Sequence, residues 1–191
     1  MINSSGEVVI DPVYCEDMGD FVNSYASVSV VDEIAYGDFT PRWGLIDLEG
    51  NLVIDTKYYY LGEYSEGLVA FSDRKNIRGV NYVGYMKLDE EVIIGPQYIS
   101  VSPFKNGIAL VSPLSCIYKP SNTVAVENNC LIDKGNNRLY EFKKLTGFVF
   151  TDWQGDYIYV KDIENNKMGL IKIPDVNDQL TYKYSGIKKQ S

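Results

Sequence analysis

A chain of 191 residues can bury one substantial core, or several small units that share one. Its apolar content of 45% belongs to a folded protein, and no apolar run approaches the roughly 18 residues a membrane helix needs. Net charge is −8 and histidine is absent. The second fact removes His-activated nucleophiles, the His general base and His-bearing zinc sites, while carboxylate, lysine and oxygen-ligand metal chemistry stays open.

The charge is uneven. Residues 1 to 55 hold eleven acidic groups against one base, Arg42, while residues 56 to 191 hold 15 acidic and 17 basic groups. The acidic end repels phosphate and argues against nucleic acid there. It can instead speed encounter with a basic partner, or serve only as a solvated surface. The odd number of cysteines (Cys15, Cys116, Cys130) does not suggest a disulfide framework, and reduced thiols at apolar positions are expected. MINSSGEVVI has neither a basic start nor a long apolar stretch, so no secretory signal and a cytoplasmic location are expected.

Taken in chain order, residues 1 to 10 (MINSSGEVVI) predict a hairpin: two apolar-rich runs around a polar turn. Asp11-Pro12-Val13-Tyr14 ends it, since proline cannot donate to a ladder. FVNSYASV (21–28) follows, an aromatic, three polar or small residues, then a largely apolar run that predicts a strand. After a connector (29–42) the pattern returns as LIDLEGNLVI (45–54), Asp55-Thr56-Lys57-Tyr58 and YSEGLVAF (64–71). A connector at 72–82 leads to YMKLDEEVII (85–94), Gly95-Pro96-Gln97-Tyr98 and FKNGIALV (104–111). Beyond the connector at 112–129 come LIDKGNNRLY (131–140) and WQGDYIYV (153–160), then KDIENNK (161–167) and a last start, LIKIPD (170–175).

The aromatic-led frame thus recurs at Phe21, Tyr64, Phe104 and Trp153, with starts 43, 40 and 49 residues apart. A fixed period of this size signals stacked repeats, and no segment shows a sustained 3.6-residue apolar period. The predicted fold is all-β: four to five three-stranded units of about 40 residues in a curved, stacked sheet or a propeller-like ring. A single domain over 1–191 divides into units near 1–41, 42–81, 82–128, 129–165 and 166–191. The four aromatics are expected to wedge between neighbouring units.

Gly44 and Gly50 then belong to a strand start and a hairpin turn, and no phosphate loop is called for. Trp43-Gly44-Leu45-Ile46-Asp47, with Gly50, Ile54 and Tyr64-Ser65-Glu66-Gly67-Leu68, resembles the bacterial WG-repeat (KWG-repeat) family. Weaker copies stand at Val83-Gly84-Tyr85-Met86, Asn129-Cys130-Leu131-Ile132-Asp133 and Lys167-Met168-Gly169-Leu170-Ile171. The resemblance implies an all-β repeat structure acting as a binding scaffold, and it brings no catalytic residues. A WD40 array has similar spacing, but its Gly-His element cannot exist without histidine.

Paired carboxylates are the one catalytic option to weigh. Glu16-Asp17, Asp32-Glu33 and Glu90-Glu91 are adjacent, and neighbours on a strand point to opposite faces. Asp133-Lys134-Gly135-Asn136-Asn137 lacks the calcium-loop spacing and reads as a hairpin turn. Sixteen tyrosines against seven phenylalanines suit either an interface or a sheet with hydroxyls at its rim. The expected function is non-catalytic protein binding, in the manner of an immunity protein that blocks a basic toxin, with no cofactor, metal, nucleic acid or membrane. The partner would meet Glu16, Asp17, Asp20, Asp32, Glu33, Asp38, Tyr58 and Tyr60. The alternatives are a carboxylate-dependent, glycosidase-like hydrolase and a structural adaptor with no single partner.

Overall fold

The computed structural model describes residues 18–31, 40–74, 81–113, 129–141, 148–154, 157–162 and 167–172. Within them thirteen strands run in sequence and no helix occurs. They are β1 (Tyr25–Val30), β2 (Arg42–Asp47), β3 (Leu52–Tyr58), β4 (Tyr60–Ser65), β5 (Leu68–Ser72), β6 (Val83–Met86) and β7 (Val92–Val101). After these come β8 (Ile108–Pro113), β9 (Cys130–Asp133), β10 (Arg138–Glu141), β11 (Phe148–Gln154), β12 (Tyr157–Asp162) and β13 (Lys167–Lys172). Every pairing joins consecutive strands and is antiparallel, in sheets β1-β2-β3, β4 through β10, and β11-β12-β13.

Two kinds of turn make this meander. The aromatic-led frame is itself a tight hairpin: its third and fourth residues both take positive φ, at Asn23 and Ser24 (51°, 72°), Glu66 and Gly67 (51°, 90°), and Asn106 and Gly107 (54°, 76°). Two successive left-handed residues match the twist of flanking strands and close a two-residue loop. Lys105 N donates to Ile108 O at 2.9 Å and Ile108 N to Lys105 O at 3.1 Å, with the same exchange between Val22 and Tyr25. The frame therefore supplies the end of one strand, a turn, and the next strand.

The second turn lies inside the longer hairpins. Asp47, Lys87 and Asp133 each donate from N to the oxygen of the residue four on (Asn51, Glu91, Asn137), and the residue between, Gly50, Glu90 or Asn136, has positive φ. Asp47 Oδ1 also accepts from Asn51 N at 2.8 Å, and Asp133 Oδ1 from Asn137 N at 2.8 Å. In the middle copy an ion pair between Lys87 and Glu91 stands in for the Asp–Asn clamp. The stretch 133–137 is accordingly a hairpin turn.

Register shows how faithful the period is. β2 and β3 pair Trp43 with Tyr58, Leu45 with Ile54 and Ile46 with Leu52; forty residues on, β6 and β7 pair Val83 with Tyr98, Tyr85 with Ile94 and Met86 with Val92. Both pairings carry a bulge at the glycine that follows Trp43 or Val83. A Cβ on Gly44 would lie 2.6 Å from the Ile54 carbonyl oxygen, and one on Gly84 would meet Ile94 in the same way. Glycine is needed because the partner strand bulges across its face.

The sequence unit and the structural layer are offset. The third run of one unit pairs with the first of the next: β1 with β2, β5 with β6, β8 with β9. The middle run is long and belongs to two layers. It breaks at Tyr59 into β3 and β4, whereas in the following unit β7 is continuous, pairing with β6 up to Tyr98 and with β8 from there. The layers are thus residues 18–21 with β1, β2 and β3; β4, β5, β6 and the first part of β7; the rest of β7 with β8, β9 and β10; and β11, β12 and β13.

Apolar faces meet between layers. Leu45, Ile54 and Tyr58 of the first layer pack on Leu61, Val69, Phe71 and Met86 of the second, with Tyr25, Trp43 and Tyr64 at the margin. Leu68, Val83, Tyr85, Ile94 and Tyr98 of the second pack on Phe104, Ala109, Val111, Cys130 and Ile132 of the third. Cys130 is buried and fills an apolar position in this core. Phe104 is 1% exposed and meets Tyr85 edge-on at 4.7 Å; Tyr64 meets Tyr25 at 4.8 Å. Phe21 packs on Ala26, Val28 and Ile46. Three of the four frame aromatics are therefore packed in successive cores, and the side chain of Trp153 lies outside the described residues, though its strand position against Ile158 matches Tyr64 against Val69.

Candidate protein-binding surface

The strand that enters the tight turn ends its sheet in the second and fourth layers, where β4 pairs only with β5 and β11 only with β12. Two of the residues expected to meet a partner lie just before the tight turns, Asp20 outside any strand and Tyr60 on β4. Asp20 precedes Phe21 in the first layer and is exposed. Tyr60 opens β4 in the second and is 37% exposed. Its hydroxyl lies close to the backbone, where a Cβ on Gly62 would come within 3.2 Å of it. Burial of that hydroxyl, then the charge of Glu63, raises the Tyr60 pKa.

Tyr58 does not share this surface. It is buried in the core between the first two layers, where it meets Phe71 edge-on at 5.6 Å. Its hydroxyl donates to Glu90 Oε2 at 3.0 Å, and burial followed by the neighbouring Glu90 carboxylate pushes its pKa up. Forty residues on, the Tyr98 hydroxyl donates to Asn136 Oδ1 at 2.5 Å. Each of these tyrosines ties its layer to the turn of the next, so the structure places Tyr58 in the core and not at the surface expected for it. Glu16, Asp17, Asp32, Glu33 and Asp38 lie outside the described residues.

Glu63 was not among the expected residues, yet it occupies in YSEGLVAF the place Asp20 occupies in FVNSYASV, immediately before the frame aromatic. Both are exposed, and among the described residues neither makes an ion pair. Extending each frame backward by one residue would have exposed these acids, with Asp152 before the fourth frame; the third copy has Pro103 there. Extending it forward reveals another constant. Ser29, Ser72 and Ser112 each follow a frame and each is buried, with Ser112 Oγ donating to Asn129 Oδ1.

The tight turns beside Asp20 and Glu63 are linked from layer to layer. Asn23 Nδ2 donates to Tyr64 O at 2.9 Å, Ser65 Oγ to Phe104 O at 2.6 Å, and Gly107 N to Glu66 Oε2 at 2.9 Å. Lys134 Nζ lies 3.2 Å from Glu66 Oε2 and donates to Glu66 O at 2.7 Å. Partial burial raises the Glu66 pKa, but the Gly107 amide and Lys134 outweigh it and hold the carboxyl below its ordinary value. Arg42, the one base among residues 1–55, stacks over the Tyr59 ring at 3.6 Å from its centroid. The tight turns are thus braced from layer to layer, with the carboxylates of Asp20 and Glu63 exposed beside them. Among the described residues no group of three His, Cys, Asp or Glu side chains could hold a metal.

These features define an antiparallel β-repeat scaffold. A family model described as "WG containing repeat" matches residues 1–30, 43–75 and 84–112, and the chain belongs to the WG-repeat family through these three copies within residues 1–112. Among solved structures, the crystal structure of the computationally designed Ika4 protein is similar at 9% identity and a TM-score of 0.52, over 88% of this chain and 99% of that one. At that identity the likeness concerns the fold alone. No curated protein matches the chain.

Proposed function

We propose that this protein is a non-catalytic binding scaffold that takes a basic protein on the acidic surface beside its tight turns, in the manner of an immunity protein that covers a toxin's active site. The observation that carries the reading is the placement of Asp20 and Glu63 at one register position in successive layers, both exposed and without ion pairs among the described residues. The excess of acid over residues 1–55 supplies the long-range field. Binding needs no bond-making chemistry, and a chain without histidine suits that role. On this reading the protein works in the cytoplasm, where a cognate toxin would otherwise act.

The test is association with the product of the neighbouring gene, followed by size exclusion and by stopped flow. The wild-type pair is expected to co-elute at micromolar concentration. Asp20→Lys combined with Glu63→Lys is expected to slow association roughly tenfold or more, with most of the difference gone at high salt. Absence of a complex, or an unchanged rate in a folded double variant, would overturn the proposal.

A further inference from the structure

The last layer repeats the register of the others. β12 and β13 pair Tyr157 with Lys172, Tyr159 with Leu170 and Lys161 with Met168. The equivalent pairs are Tyr25 with Asp47 and Ser27 with Leu45 in the first layer, and Ile108 with Asp133 and Leu110 with Leu131 in the third. Equivalence of position fixes what each side chain should do. Leu45, Tyr85 and Leu131 are 1%, 1% and 2% exposed, whereas Leu170, in the same place, is 58% exposed. Met168 corresponds to the half-buried Trp43 and the buried Val83 and Asn129, and is 60% exposed. Tyr157 corresponds to the half-buried Tyr25 and the buried Leu68 and Ile108, and is 42% exposed.

In the first two layers this face is covered by the layer that follows. In the last it is a bare strip of Tyr, Met and Leu, a composition typical of protein interfaces. Charge indicates what covers it. Lys172 is exposed on the same face, and residues 157–191 hold six lysines and four acids. Residues 1–20 hold five acids (Glu7, Asp11, Glu16, Asp17, Asp20) and no base. This acidic start also carries a matched copy of the repeat, which spans residues 1–30.

We infer that the face of β12 and β13 formed by Tyr157, Met168 and Leu170 docks the acidic N-terminal repeat of a second copy of this chain, head to tail. The apolar strip takes the place of a following layer, and the lysines of one copy meet the carboxylates of the other. Such a contact is heterologous, joining two different patches, so it builds rings or chains of copies instead of closing at a two-fold dimer.

Light scattering across a concentration series, at low and high salt, tests this on the full chain. The wild type is expected to rise above its monomer mass of 21.6 kDa with concentration, and to fall back toward it as salt screens the charges. Leu170→Asp is expected to remain monomeric; the residue is exposed, and an unchanged thermal transition would show that the fold is intact. Lys172→Glu, which leaves the apolar strip whole, and Glu7→Lys with Asp11→Lys are each expected to weaken assembly. A monomer at every concentration would overturn the inference, whether the face is covered by this chain or by an unrelated protein. So would assembly that Leu170→Asp leaves unchanged, or assembly indifferent to reversal of the N-terminal acids.

Discussion

Gly44 and Gly107 show two reasons for one residue type. At Gly44 the backbone is ordinary but space is lacking, since a Cβ would lie 2.6 Å from the Ile54 oxygen and 2.8 Å from Thr56 Cγ2. At Gly107 space is open, with no atom within 4 Å, but φ is +76°. Gly44→Ala is therefore expected to cost about 1–3 kcal/mol as an overpacking defect, and to disturb the β2–β3 bulge. Gly107→Ala is expected to cost about 1–2 kcal/mol through conformation alone, with the sheet intact. Urea denaturation measures both losses, and amide exchange in β3 separates them: faster exchange in Gly44→Ala only. Equal protection in the two variants would refute the distinction. The W-G motif shows that a glycine recurs here; that it recurs because the partner strand bulges over it follows only from the pairing of Leu45 with Ile54 and Trp43 with Tyr58.

The turns have their own chemistry. The Asn51 side chain chiefly, with the backbone amides of Asn51 and Glu49, holds the Asp47 carboxyl below its ordinary pKa; Asn137 does the same for Asp133. A carboxyl whose folded pKa is depressed adds stability above its unfolded value, near 3.9, and that contribution disappears as pH falls through the folded value. Stability is thus expected to decline as pH falls below about 4 and through the lowered folded values, and Asn51→Ala with Asn137→Ala should flatten that slope. The check is the urea midpoint as a function of pH; an identical slope in the double variant would remove these clamps from the account. The hairpins at 45–54, 85–94 and 131–140 were legible from apolar runs around polar centres. The tight turns inside the frames were harder to see. Asn106-Gly107 is a strong hairpin signal, but Asn23-Ser24 and Glu66-Gly67 are held in the same geometry by their flanking strands and by the next layer. Local propensity alone does not single them out.

Across the molecule, cohesion comes from faces shared between layers. Phe104 is the clearest case, reaching residues of both the second and third layers in one core. Phe104→Ala is expected to cost about 3–5 kcal/mol and to lower the single unfolding transition of the described layers as a whole. Loss of only one layer's amide protection, with the rest unchanged, would show that the layers fold separately. Period, all-β class and aromatic wedges were legible because a repeat presents the same packing problem several times. The surface was less so. Tyr58 and Tyr60 sit two apart among three tyrosines, and only the break at Tyr59, which passes the chain from one sheet to another, sends the first inward and leaves the second outside.

That crossing of one strand between two layers bears on how such a chain can lengthen or shorten over generations. Because β6 and β7 repeat the pairing of β2 and β3 at a spacing of forty residues, excising or duplicating that many codons rejoins equivalent points for any breakpoint between residues 42 and 71 joined to its counterpart forty residues on. A recombination event in mid-strand would leave every surviving sheet with its full complement of partners. Loops need not be the only seams in such a gene.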